Sequence, residues 1–232
     1  MQKLKISDLI NKSIDFIKAH YEYILPFSLL YVILQLPSGF IKSAWMLPLS
    51  LLLLPLAFSI PYFANKVENG EPKRFGLFFE VYSYFFKFFG IAFVKWMIML
   101  LIFSPLMINL VDVLKDFNYD AEKLMLAIQT KNYIPNQSTV LTFFGCMFLF
   151  LFLLPFIMFV EFYAILDDLD IMESFKKSYE IGVRNYMTIL LILIVAFAAT
   201  FAGMCTCGIG LVLAIPFIYL LFYYAYKYNK AA

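Results

Sequence analysis

The 232-residue chain holds a single histidine, His20, and three cysteines, Cys146, Cys205 and Cys207. One imidazole cannot build a His-based metal cluster, and it leaves a Ser-His-Asp arrangement without a neighbouring set of partners. An odd number of thiols, with Cys146 inside an apolar run, does not make a disulfide framework. Charge is scarce too, at 15% of residues against 63% hydrophobic and 20% aromatic. A water-soluble fold of this length could not bury so much apolar side chain in one core. The formal net charge of +2 is too small to point to nucleic acid. Glycines are few, and no Walker or dinucleotide loop occurs, since those near Cys207 fall between apolar runs. These absences predict a protein that is not an enzyme, with no cofactor and no metal.

What fills the chain is membrane-length apolar sequence. Crossing a hydrocarbon core of about 30 Å takes roughly 20 helical residues. Six such stretches run approximately Glu22–Ile41, Ala44–Ala64, Phe88–Val111, Thr139–Leu166, Tyr186–Gly203 and Ile209–Tyr228. Continuous runs such as Leu51–Leu54 and Phe148–Leu154 lack the alternation of barrel strands, so the expected fold is all-α and polytopic. The first stretch follows about 20 residues of mixed charge without a small-residue cleavage pattern, so it reads as a retained span. Lys3, Lys5, Lys12, Lys18, Lys66, Lys73, Arg74, Lys87, Lys176, Lys177, Arg184, Lys227 and Lys230 would lie on one side, against Lys42, Lys115, Lys123 and Lys131 on the other. That bias predicts that both termini are cytoplasmic.

The spans are arranged as a unit met three times, over about 1–66, 73–168 and 169–230, within a single integral membrane domain. Each unit is an amphipathic helix followed by two spans, the second carrying a proline. In the first, Ile6, Leu9, Ile10, Ile14, Ile17 and Tyr21 oppose Asp8, Asn11, Lys12, Asp15 and Lys18. The third starts with Asp170 and Glu173 at capping-box spacing, and Ile171, Phe175, Tyr179 and Val183 then oppose Lys176, Lys177, Glu180 and Arg184. Lys12-Ser13 aligns with Lys177-Ser178, and His20-Tyr21 with Asn185-Tyr186. The middle helix, Phe75–Phe89, matches less well, with Glu80, Ser83 and Lys87 as its polar positions. Pro55, Pro155 and Pro216 sit in the middle of the second spans and predict helix kinks. An insertion at about 112–138 breaks the pattern and reads as a solvated connector, helical over 124–128.

Few residues could carry chemistry. Lys95 and Glu161 fall inside spans, each roughly 10 Å along its helix from the predicted inner end at 1.5 Å per residue. They form the candidate intramembrane pair: a proton or ion relay on one reading, a buried ion pair or a snorkelling lysine on the simpler one. Lys12, Lys18, Lys87, Lys176, Lys177 and Arg184 are the candidate contacts to lipid head groups. Asp167, Asp168 and Asp170 sit where a helix begins and have a structural reason there. Cys205-Thr206-Cys207, flanked by Gly203, Gly208 and Gly210, is better explained by a tight hairpin than by a metal.

The segment Glu173-Ser174-Phe175-Lys176-Lys177-Ser178, through Arg184-Asn185-Tyr186 to Cys207-Gly208-Ile209-Gly210 and Ala214-Ile215-Pro216, resembles a group of uncharacterised bacterial six-span membrane proteins. That group is related to the membrane domain of some glycerophosphodiester phosphodiesterases. The likeness covers about 60 residues, and the phosphodiesterase catalytic domain has no counterpart in this chain. It implies a bacterial cytoplasmic-membrane protein. The expected function is a non-enzymatic accessory or scaffold subunit that binds membrane lipids, a membrane-protein partner or a second copy of itself; the alternative is a small-solute or ion transporter using Lys95 and Glu161.

Overall fold

The computed structural model describes residues 5–35, 46–116, 118, 120, 123, 126, 129, 130, 136–206 and 208–231. Among these the regular structure is helical: α1 (Ile6–Ala19), α2 (Tyr21–Gln35), α3 (Met46–Leu53), α4 (Ser59–Glu68), α5 (Leu77–Glu80), α6 (Phe85–Asp116), α7 (Gln137–Ile157), α8 (Val160–Leu166), α9 (Ile171–Arg184), α10 (Tyr186–Cys205) and α11 (Leu211–Ala231). Short 3-10 turns at Pro55–Phe58 and Val81–Tyr84 join α3 to α4 and α5 to α6. Five helical stretches are long and apolar enough to cross a membrane: Ser50–Glu68, Leu77–Lys115, Gln137–Leu166, Tyr186–Cys205 and Leu211–Lys230. The far end of the first expected span, the start of the second and about half of the 112–138 insertion, including all of the expected helix 124–128 except residue 126, lie outside the described residues.

The chain divides into two compact units, Met1–Ile91 with Pro155–Ala232, and Ala92–Leu154. The smaller unit holds most of α6 and α7. Here Asn109 Nδ2 donates to Thr142 Oγ1 at 3.0 Å, and Phe103 and Phe150 approach to 6.1 Å between ring centres. Leu101 is 78% exposed and Phe148 74%. Side chains of that size on so many faces suit hydrocarbon, not water.

The larger unit is built around α11, which packs on α10, α1, α2 and α4. Its core is aromatic: Phe27 stacks on Phe78 at 4.2 Å, and Phe78 on Phe63 at 4.4 Å. Offset stacking of this kind adds to the burial energy of large rings. Buried Leu9, Ser13, Phe16, Ile24 and Phe27 on α1–α2 answer, one for one in the sequence alignment, to buried Ser174, Ser178, Ile181, Ile189 and Ile192 on α9–α10. The joints match as well, with His20 at φ −134°, ψ 23° and Asn185 at φ −124°, ψ 27°.

The prolines differ in effect. Pro55 opens a 3-10 turn that ends at Phe58, whose φ and ψ are −99° and 0°. Pro155 lies two residues before the end of α7, and Phe159 at φ −97°, ψ 7° separates it from α8. By contrast α11 runs unbroken from Leu211 to Ala231 through Pro216. The N–H of Phe159, which has left the helical ladder, donates to Ser178 Oγ on α9 at 3.1 Å.

Candidate functional site

An aromatic pair follows each of the three prolines at a fixed register. Tyr62-Phe63-Ala64, Phe162-Tyr163-Ala164 and Tyr223-Tyr224-Ala225 stand at the same spacing from Pro55, Pro155 and Pro216, and all three alanines are fully buried. Alanine is the side chain that lets a second helix approach at that level. One turn further on come Glu68, Asp168 and Asn229, at equal spacing from the three prolines. These polar residues hold the charged ends of the helices together.

Glu68 is the most heavily bonded. Its Oε2 accepts from Tyr223 Oη at 2.8 Å and Lys227 Nζ at 2.6 Å, and its Oε1 from Tyr224 Oη at 2.9 Å, so the end of α4 is fastened to α11. Asp168 accepts from Lys87 Nζ at 2.5 Å, and that ammonium also approaches the carbonyls of Ala164 and Leu169 at 3.4 Å and the Tyr84 ring. Asn229 accepts from Asn185 Nδ2 at 2.8 Å. Asp167, the neighbour of Asp168, pairs with Lys230. Asp170 caps α9 by accepting from Met172 N at 2.8 Å, while Glu173 pairs one turn along with Lys177 at 3.6 Å.

Two of these ties share a plan. Lys87 and Asn185 each stand four residues before a buried isoleucine, Ile91 or Ile189, and each bonds the polar residue that follows a proline, Pro155 or Pro216. His20 stands four residues before buried Ile24, and its counterpart partner by position is Glu68. Yet His20 Nδ1 is buried without a hydrogen-bond partner among the described residues, and the ring lies against Phe16 at 4.4 Å and Phe63 at 6.3 Å. Burial, reinforced by the Lys73 ammonium, pushes the imidazole pKa below its ordinary 6.5, against weaker opposite pulls from Glu22 and Glu68.

The predicted lipid-contact bases separate into two groups. Lys87 is committed to Asp168, and Lys177 to Glu173 and the Tyr163 ring. Lys12, Lys18, Lys176 and Arg184 are exposed and form no ion pair among the described residues. Lys18 borders an apolar groove of about 490 Å³ between α1, α10 and α11, lined also by Ile14, Ile17, Ala202, Gly203 and Phe217. Its volume falls within the roughly 300–1,000 Å³ typical of ligand pockets. At the top of α10, Thr206 Oγ1 donates to Gly203 O and accepts from Gly210 N, both at 2.8 Å, which closes the hairpin. Gly208 supplies the left-handed turn at φ 82°; Cys205 is exposed, and Cys207 lies outside the described residues.

Lys95 and Glu161 fall in different compact units, the first half-buried on α6 and the second half-buried on α8. Glu161 lies within electrostatic reach of Tyr219 on α11. The polar ties that anchor the larger unit were not legible as pairs: Glu68 with Lys227 and Asp168 with Lys87 are far apart in sequence. A usable signal was the recurrence of a polar residue at one distance after each proline.

This architecture belongs to the class of polytopic helical proteins of membrane type. No family model matches the chain, and no curated protein or solved structure matches it.

Proposed function

We propose that the chain is a non-enzymatic membrane scaffold that holds an anionic phospholipid through α1, α10 and α11. It consists of three copies of one unit and crosses a bacterial cytoplasmic membrane six times, with both termini on the cytoplasmic side. The observation that carries this reading is the groove beside Lys18: an acyl-chain-sized apolar trough with one exposed ammonium at its border that forms no ion pair among the described residues. Hydrocarbon fills such a trough without polar cost, and a head-group phosphate gives the ammonium a counter-charge at the membrane surface. Support for three units comes from the shared buried positions of α1–α2 and α9–α10 and from the three buried alanines at one distance after proline.

Native mass spectrometry of the protein released from nanodiscs holding equal phosphatidylglycerol and phosphatidylcholine tests the reading. The wild type should retain phosphatidylglycerol selectively. Lys18→Gln should weaken retention about fivefold, the effect of about 1 kcal/mol per basic residue near a membrane surface. Ala202→Phe should abolish it by filling the groove from an exposed position, and Lys12→Gln should leave it unchanged. Equal retention of both lipids, or full retention by Ala202→Phe, defeats the assignment.

A further inference from the structure

We infer that α1 is a proton-released arm, held in its seat by neutral His20 and let go when that imidazole takes up a proton. This goes beyond lipid binding and does not require it.

His20, Lys87 and Asn185 stand at three comparable helix joints. At two of them, a polar side chain at the start of a span is bonded to the polar residue that follows a proline: Lys87 to Asp168, and Asn185 to Asn229. Neither tie contains a histidine. The first joint carries one, the side chain that changes charge near neutral pH. Its partner by position, Glu68, is engaged instead by three donors on α11, Tyr223, Tyr224 and Lys227. His20 is therefore held by rings rather than by a bond. Phe16 lies on one side of it and Phe63 on another, and Nδ1 has no acceptor or donor among the described residues.

A neutral imidazole tolerates that box, whereas an imidazolium would place a charge among rings with its Nδ1–H buried and unsatisfied. The charged groups facing it are Lys73, which opposes protonation, and Glu22 and Glu68, which favour it. Glu68 is the group that could rescue the cation, but its charge is already neutralised by Lys227 at 2.6 Å. Burial and Lys73 therefore prevail. The proton arrives from water, no bond is broken, and the buried Nδ1–H of the cation gains a water partner when the α1–α2 joint opens.

The sign for stability follows. With the folded pKa below the unfolded 6.5, the unfolded or released state binds more protons in between, so stability is full above 6.5 and falls as pH drops toward the folded value. Because Ile14, Ile17 and Lys18 of α1 border the groove, releasing α1 also dismantles one of its walls.

Hydrogen exchange of the nanodisc-embedded protein, read at the α1 peptides and corrected for intrinsic rates, tests this between about pH 7.5 and about pH 5.5. The wild type should lose α1 protection severalfold at the lower pH, while α10 keeps its own. His20→Asn, the residue found at the third joint, should make α1 protection independent of pH. His20→Lys should leave α1 released at both values. Unchanged protection at the lower pH overturns the inference, and increased protection overturns its sign, because it would mean that Glu68 captures the imidazolium. A wild-type pH response that persists in His20→Asn assigns the proton to another group and also overturns it. Loss of lipid selectivity with this response intact would defeat the lipid reading alone.

Discussion

At the scale of single residues, the stable contacts are those where a polar atom is fully used. Glu68 accepts from three groups of α11, and truncation would leave two tyrosine hydroxyls and Lys227 without their acceptor. Lys227 is 44% exposed, so water screens part of that loss. Glu68→Ala should therefore lower stability by about 2 kcal/mol, measured by thermal unfolding in mild detergent. A double-mutant cycle with Lys227→Ala should return a clear coupling, and additive losses would argue against the tie. Gly182 makes the opposite demand, for empty space. A Cβ there would lie 2.8 Å from Phe156 Cα and 3.0 Å from the Pro155 carbonyl oxygen, both backbone atoms that cannot swing aside. Gly182→Ala should cost about 1–3 kcal/mol as α9 is pushed off the end of α7, a loss read in the same assay. Neither requirement could be read from the sequence: the glycine is one residue in an amphipathic pattern, and the donors to Glu68 lie more than a hundred positions away.

At the scale of elements, hydropathy and helical period carried most of the information. The ends of α1 and α9 follow from their apolar stripes, and the start of α9 from Asp170, because these are local signals. The breaks at Phe58 and Phe159 were only half legible. Proline removes a donor and disturbs the preceding turn, but whether a span then breaks depends on what its neighbours offer the freed groups. Ser178 offers its hydroxyl to Phe159 N, and Ser59 donates to Phe78 O at 2.6 Å across the corresponding junction. Around Pro216, α11 continues without interruption, and α1, α2, α4 and α10 pack along it. Ser178→Ala should therefore leave a buried N–H without its partner and cost about 1–2 kcal/mol. Hydrogen exchange should show the loss first at the amides of Phe159 to Tyr163. Unchanged exchange there would mean that the break needs no support from α9.

At the scale of the whole molecule, scaffold and transporter place different demands on the ionisable residues in the spans. A transporter relay needs Lys95 and Glu161 to change protonation or partner during a cycle, and it needs polar groups recurring along a path. What recurs after Pro55, Pro155 and Pro216 is different: an aromatic pair, a buried alanine and then a polar residue near the end of the helix. Each has a task in packing or fastening. Under the scaffold reading, the double substitution Lys95→Leu with Glu161→Leu should preserve selective phosphatidylglycerol retention, because neither residue borders the groove. Ala202→Phe should remove that retention while both ionisable residues remain. In proteoliposomes the wild type and the double variant should show equal, background-level proton and cation flux. Flux in the wild type that disappears in the double variant would move the function from the groove to the ionisable residues and leave the recurring aromatic-alanine pattern as framework alone.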